Sequence, residues 1–262
     1  MLMINARKHG RKGCLNEPAK KKKIVIVIPA YKADETLPVV LQRIPTAVHD
    51  EVSHIVIVED GGTNHPQSVS NQLKQKYNKI EIIWHPTNRG YGAAQKTGFR
   101  RALELDADVG VLLHADGQYA PEEMQRLYQP LVTETADVVL GSRMQSWRSA
   151  YKGGMPLYKL IANIALTQLE NFCYRMKVSE YHSGYMLYSR RALETIPFEK
   201  LSDTFHFDGE MLLMSGKKKL RIADLPIPTH YGDEESHLKP IEYGFDVLKI
   251  IYRNFMGKYD FK

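Results

Sequence analysis

Apolar residues in this chain come in short β-branched runs separated by stretches of helical spacing, and that alternation sets the expected architecture. Residues 24–28 (Ile-Val-Ile-Val-Ile) are an uninterrupted run, as in a strand buried on both faces, and Pro29-Ala30-Tyr31 stops it. Asp34 reads as the N-cap of a helix reaching about Ile44. The unit repeats over 52–58, closed by Glu59-Asp60-Gly61-Gly62-Thr63-Asn64, with a helix over 66–76. Residues 80–84 predict a third strand, followed by the loop 85–92 and a helix over 93–105. A fourth run, 109–113, passes into His114-Ala115-Asp116-Gly117-Gln118 and a helix over 121–132, and a fifth, 137–140, reaches Gly141-Ser142-Arg143. Strands alternating with helices of this length predict an α/β fold, a mainly parallel sheet with helices on both faces in a single domain.

Beyond Arg143 the rhythm changes. Leu157, Leu160, Ile161, Ile164 and Leu169 recur at helical spacing, 184–189 reads as a strand, 205–214 as helix or strand, and 220–223 as a strand. From Ile241 a helix-like segment interleaves Phe245, Leu248, Ile251, Tyr252 and Phe255 with Lys249 and Arg253. It suits a helix packed on the body, with contact at a membrane surface as the alternative.

Composition changes this picture in one place. The 262 residues carry a net charge of +6, yet residues 1–23 hold eight basic side chains against Glu17 alone, so the rest is close to neutral. The basic excess therefore describes an N-terminal arm, residues 1–22, expected to be disordered and able to touch anionic lipid. It argues against a general nucleic-acid binder. Cys14 and Cys173 form no CxxC spacing and no disulfide framework, which fits a cytoplasmic setting. No secretory signal is recognisable and no 18 consecutive apolar residues occur, so membrane contact is expected to be peripheral, at the cytosolic face.

Candidate chemistry collects where the apolar runs end. Asp116 and Gln118 are two oxygen-bearing side chains just past a core strand, sparse enough for a divalent cation that shares its ligands with substrate phosphates. Asp60 ends a strand in a Gly-rich turn, where a carboxylate can accept hydrogen bonds from a nucleobase or ribose. Asn88-Arg89-Gly90-Tyr91-Gly92 starts like a dinucleotide fingerprint, but position 95 is Gln where the third Gly belongs, which excludes a dehydrogenase of that type. Arg143 offers a planar fork of donors suited to phosphate.

In order and spacing, Val27-Ile28-Pro29-Ala30-Tyr31, Val58-Glu59-Asp60-Gly61-Gly62-Thr63, Asn88-Arg89-Gly90-Tyr91-Gly92-Ala93, His114-Ala115-Asp116-Gly117-Gln118 and Gly141-Ser142-Arg143 resemble the inverting family-2 glycosyltransferases. The branch most similar is that of dolichyl-phosphate mannose synthases and polyprenyl-phosphate glycosyltransferases. The resemblance implies a GT-A fold over residues 23–238, a nucleotide-sugar donor, a lipid-phosphate acceptor and Mg²⁺ or Mn²⁺, with 239–262 as a C-terminal amphipathic segment. It also implies that Pro29, Tyr31 and Asp60 hold the nucleoside, with His114 and Ala115 beside the donor. Asp116 and Gln118 would hold the metal and Arg143 the diphosphate.

Tyr181-His182-Ser183-Gly184-Tyr185, Phe207-Asp208-Gly209-Glu210 and Tyr231-Gly232-Asp233-Glu234-Glu235-Ser236 resemble the family's acceptor-side segments. The chain departs from the pattern at His114, where the family's Asp-x-Asp has its first acid, at Ala33, often Glu, and at His230, often Arg. His114 is a further candidate metal ligand, better suited to Mn²⁺ than to Mg²⁺. Two rivals stand beside the lipid-phosphate reading: transfer to a sugar or protein hydroxyl, with Asp208 as general base, and a catalytically silent nucleotide-sugar-binding protein.

Overall fold

The computed structural model of the chain describes residues 21–61, 78–228 and 240–261. The helix expected over 66–76, most of the basic arm, and His230 with the Tyr231-to-Ser236 segment lie outside the described residues.

The uninterrupted apolar run of the sequence becomes the centre of the molecule, β1 (Ile24–Ala30), because a strand there has two faces to fill. Ile24, Ile26 and Ile28 point into one core layer, with Leu37, Val40, Leu41, Leu127 and Leu131, whereas Val25 and Val27 point into the other, with Ala94, Phe99, Phe207 and Met211. Each such side chain contributes roughly 1.5–3 kcal/mol on burial, so both faces need apolar residues and the run cannot alternate.

Parallel partners flank β1 on both sides: β2 (Val52–Asp60), itself paired in parallel with β3 (Ile80–His85), and β4 (Val109–Leu112). The sheet continues through β6 (Met186–Ser189), β5 (Val138–Ser142) and β7 (Ile222–Pro226), giving seven strands in the order β3-β2-β1-β4-β6-β5-β7. β6 runs antiparallel to both β4 and β5, and the other pairs are parallel. The expectation of a mainly parallel α/β sheet is thus met, with one reversed strand that the sequence pattern did not orient.

Among the described residues the α-helices are α1 (Thr36–Arg43), α2 (Thr46–Glu51), α3 (Tyr91–Glu104), α4 (Met124–Val132), α5 (Trp147–Lys152), α6 (Leu157–Tyr174), α7 (Arg190–Thr195), α8 (Phe207–Lys217) and α9 (Pro240–Phe255). Helix α1 starts two residues after Asp34, with Glu35 at the cap and no side-chain cap bond, so Asp34 is not the N-cap expected of it. The ambiguous segment 205–214 is helical, as α8. The chain after α9 turns back into the body, where buried Tyr259 donates a hydrogen bond to Glu210. Among the described residues no helix is long and apolar enough to cross a membrane.

Candidate functional site

Topology decides where the chemistry gathers. β2 and β3 lie to one side of β1 and β4 to the other, so the crevice past the carboxyl ends of β1 and β4 is the point where strand order reverses. Pro29 and Tyr31 leave β1 there, Asp60 ends β2, and His114, Ala115, Asp116 and Gln118 follow β4. Because β6 is reversed and pairs Val111 with Leu187, the residues before it, Tyr181 to Tyr185, arrive at the same edge, and Arg143 arrives from the end of β5. Five separate loops therefore meet at one edge.

Asp60 is buried and organises the loop in front of it. Its Oδ1 accepts from His85 Nδ1 at 2.7 Å and from the Arg89 amide at 2.9 Å, and its Oδ2 accepts from the Gly90 amide at 2.8 Å. Gly90 has φ of +104°, and a Cβ there would sit 2.3 Å from the Asp203 carbonyl oxygen, so only glycine admits this turn. Asp60 acts directly on loop shape, while Tyr31, about half exposed, remains at the open rim.

That loop delivers Tyr91 to the centre. Its hydroxyl lies 2.6 Å from His114 Nε2 and donates to Asp208 Oδ2 at 2.8 Å, and Gln95 Nε2 donates to Asp208 Oδ1 at 2.9 Å. Gln95, which breaks the dinucleotide fingerprint, thus finds its role beneath Asp208. Gly184 closes over the ring of His114 so tightly that a Cβ would lie 2.3 Å from Nε2, and its amide donates to the Tyr119 hydroxyl at 2.7 Å. Burial raises the Tyr91 pKa well above its ordinary value, reinforced by Asp208. Burial also raises Asp208, against the opposing pull of His114, Gln95 and Tyr91. For His114 burial opposes the charged ring but is outweighed by the neighbouring carboxylates of Asp116 and Asp208, so the net shift is upward. For Asp116 burial is outweighed by His114, and the net shift is downward.

Arg143 is committed within the protein. Its Nε donates to Glu180 Oε1 at 3.2 Å, its Nη2 donates to the same oxygen and to the His182 carbonyl at 2.8 Å, and its amide donates to Glu180 Oε2 at 2.9 Å. Glu180 is fully buried, and burial would raise it, but Arg143 holds it below its ordinary value. Asn163 of α6 donates to the same carboxylate at 3.1 Å, and His182 Nδ1 lies 3.0 Å from the Tyr243 hydroxyl of α9. The segment 180–184 is thus held by Arg143, α6 and α9 together. Sequence reasoning missed Glu180, which adjoins a segment it did single out, and it missed the partnership of Tyr91 with His114.

The residues present fit a divalent cation bound together with phosphate. With Asp208 ionised and His114 neutral, the Tyr91 proton goes to Asp208, His114 Nε2–H donates to Tyr91, and the Nδ1 lone pair is left on the Asp116 side. Nδ1 and Asp116 Oδ2 are 3.9 Å apart, beyond a hydrogen bond, and Gln118 shares the turn through its amide, 3.0 Å from Asp116 Oδ1. Among the described residues no group of three His, Cys, Asp or Glu side chains is placed to hold a metal, so remaining ligands would come from substrate and water.

Comparison with known proteins bears on this geometry. The family model described as glycosyl transferase family 2 matches residues 25–197. The chain is 29% identical over 250 residues to the UDP-N-acetylglucosamine–dolichyl-phosphate N-acetylglucosaminyltransferase of Methanococcus voltae, covering 90% of this chain and 96% of that protein. It is 25% identical over 211 residues to the polyprenol monophosphomannose synthase of Mycolicibacterium smegmatis, covering 78% and 76%. In three dimensions it is similar to glucosyl-3-phosphoglycerate synthase from Mycobacterium tuberculosis in complex with UDP, with a TM-score of 0.63 at 16% identity over 88% of this chain and 79% of that one. This last likeness supports the GT-A-like fold.

Proposed function

We propose, from the premise that the chain belongs to glycosyl transferase family 2, that this enzyme transfers a hexose from a nucleotide-diphosphate sugar to a polyprenyl-type phosphate, with inversion at the anomeric carbon. The observation that carries the reading is the single sheet edge that gathers Tyr31, His114, Asp116 and Gln118 with the 180–184 segment, and with Asp208 through Tyr91. Two relatives are named for transfer to dolichyl or polyprenyl carriers, which supports the acceptor class.

The chemistry is one displacement. An acceptor phosphate oxygen forms the new bond to the anomeric carbon while the bond to the donor diphosphate breaks, its electron pair leaving with the diphosphate. Pro29 and Tyr31 flank the nucleoside, and Asp60 holds the 88–90 loop rather than reaching outward. Asp116, with Gln118 and His114, would hold Mg²⁺ or Mn²⁺, whose charge neutralises the leaving diphosphate. A solved structural neighbour is described with Mn²⁺ and UDP, which supports a cation of this class. Arg143, with its charge balanced by Glu180, fixes the 180–184 wall, and a direct grip on diphosphate would require exchange of that pair.

Asp208 separates this reading from the hydroxyl-acceptor rival. An attacking phosphate needs no base, whereas a hydroxyl does. Asp208 is buried and both its oxygens already accept hydrogen bonds, which suits a fixed structural acceptor. Its raised pKa is the feature that favours the rival. Lys159 and Arg175, candidates for steering a lipid phosphate, sit at opposite ends of α6, about 24 Å apart along a helix of that length, so they cannot grip one phosphate together.

A thermal-shift panel of nucleotide sugars with Mg²⁺ and Mn²⁺ tests the donor. Ligand at a hundred times its Kd should stabilise by ~2.7 kcal/mol. Stabilisation that needs no cation in any combination would contradict the metal assignment. Residence at the cytosolic membrane face belongs to the same proposal.

A further inference from the structure

Helix α6 is amphipathic the wrong way round for a helix packed on a core. Its inward face carries Asn163, Thr167, Glu170 and Asn171, engaged with Glu180, Asn163, His182 and the Val178 backbone. Its outward face carries Leu157, Ile161, Ile164, Leu169 and Phe172, all exposed, Phe172 to 83%. Helix α9 packs against α6 and buries Val247 and part of Ile250, yet it also turns Phe245, Leu248, Tyr252 and Phe255 outward, Phe255 at 88% exposure. A single exposed Leu needs no explanation, but two adjoining helices with apolar stripes turned to solvent do.

Charge says what covers them. From Met144 to Val178 the sequence has five basic residues, Arg148, Lys152, Lys159, Arg175 and Lys177, against one acid, Glu170, which is buried. On the described part of α9, Arg253 is exposed as well, and the exposed Lys249 is paired with Asp246. Trp147, Tyr151 and Tyr158, amphipathic rings of the kind found at bilayer interfaces, are also exposed. An apolar stripe, interfacial aromatics and a cationic rim together match a helix pair lying in a lipid headgroup layer.

We propose that α6 and α9 together form the face by which this protein seats on an anionic lipid bilayer. The inward residues of both helices hold the 180–184 wall, so seating the pair places the crevice at the level of the headgroups. The inference deepens the proposed lipid-phosphate acceptor and rests on that reading only for its purpose.

The test is sedimentation of the full chain with vesicles of phosphatidylcholine, alone or with phosphatidylglycerol. The chain should pellet with the mixed vesicles and much less with the neutral ones. Ile161→Gln/Ile164→Gln/Phe172→Gln, and separately Phe245→Gln/Phe255→Gln, should each cut vesicle partitioning at least tenfold, keep the thermal midpoint, and leave turnover on a water-soluble short-chain acceptor unchanged. Lys152→Glu/Lys177→Glu should weaken the preference for the anionic vesicles, and an unchanged preference would count against the cationic rim. Variants that pellet as fully as the wild-type chain would overturn the proposal. So would a lipid-free dimer that these substitutions convert to monomers while vesicle binding stays as it was. Failure of the acceptor reading would show differently, as vesicle binding intact with no transfer to any polyprenyl phosphate.

Discussion

The two halves of the crevice hold their chemistry by opposite means. On the donor side, the loop after β3 is shaped by backbone amides bonded to Asp60 and by a left-handed glycine, strand register places the loops after β1, β2 and β4, and Asp116 and Tyr31 are part exposed at that edge. On the acceptor side, a buried ion pair, Arg143 with Glu180, is tied to α6, and His182 is tied to α9, whose outer faces are apolar. In the proposed reaction the first arrangement is the cradle for the nucleotide. The second is a wall held through buried charge that must stay paired.

The comparison can be broken at each side. The largest effect should come from the donor side: Asp116→Asn removes the only carboxylate of its motif, and turnover should fall about a thousandfold or more, since cation stabilisation of a leaving group is worth several kcal/mol. Near-wild-type kcat in a folded variant would sink the assignment. On the acceptor side, Glu180→Ala strands the Arg143 guanidinium and should destabilise by ~3–5 kcal/mol in urea unfolding. Because the Glu180 carboxyl is lowered in the folded chain, its contribution is present above the unfolded value of about 4.3 and is lost as pH falls through the lower folded value. The gap between wild type and Glu180→Ala should therefore narrow in acid, and a constant gap would show that the pair is not its source. Tyr91→Phe, where the halves meet, leaves Asp208 Oδ2 and His114 Nε2 each short of a partner and should cost ~1–3 kcal/mol. Stability equal to wild type would mean that the link is incidental.

The same division explains what was legible in the sequence. The expected strands beginning at 24, 52, 80 and 109 coincide in their starts with β1, β2, β3 and β4: β1 and β4 are buried throughout and so apolar throughout, whereas β2 and the edge strand β3, part exposed, keep β-branched runs among a few polar residues. The donor-side segments were legible for the same reason: each is whatever follows such a run. What could not be read were pairings between loops: Tyr91 with His114, which joins the loop after β3 to the loop after β4, and Arg143 with Glu180, which depends on β6 running backwards between β4 and β5. Short helices such as α2 and α7 leave too few residues for a periodic signal. The apolar spacing of α6 was visible, but spacing alone does not say which face is inward. Only the inward bonds of Asn163, Thr167 and Asn171 orient the helix and leave its apolar stripe outside.

The central claim, transfer to a phosphate, is tested most directly by offering a nucleotide sugar with its cation to two acceptors of equal chain length, a polyprenyl phosphate and the corresponding polyprenol, and comparing wild type with Asp208→Asn. The predicted result is an inverted glycosyl phosphate from the first acceptor only, with Asp208→Asn within about tenfold of wild type, because general-base assistance of 10²–10⁴-fold is not being used. Transfer to the polyprenol, lost by several hundredfold in a folded Asp208→Asn that still binds donor, would contradict it.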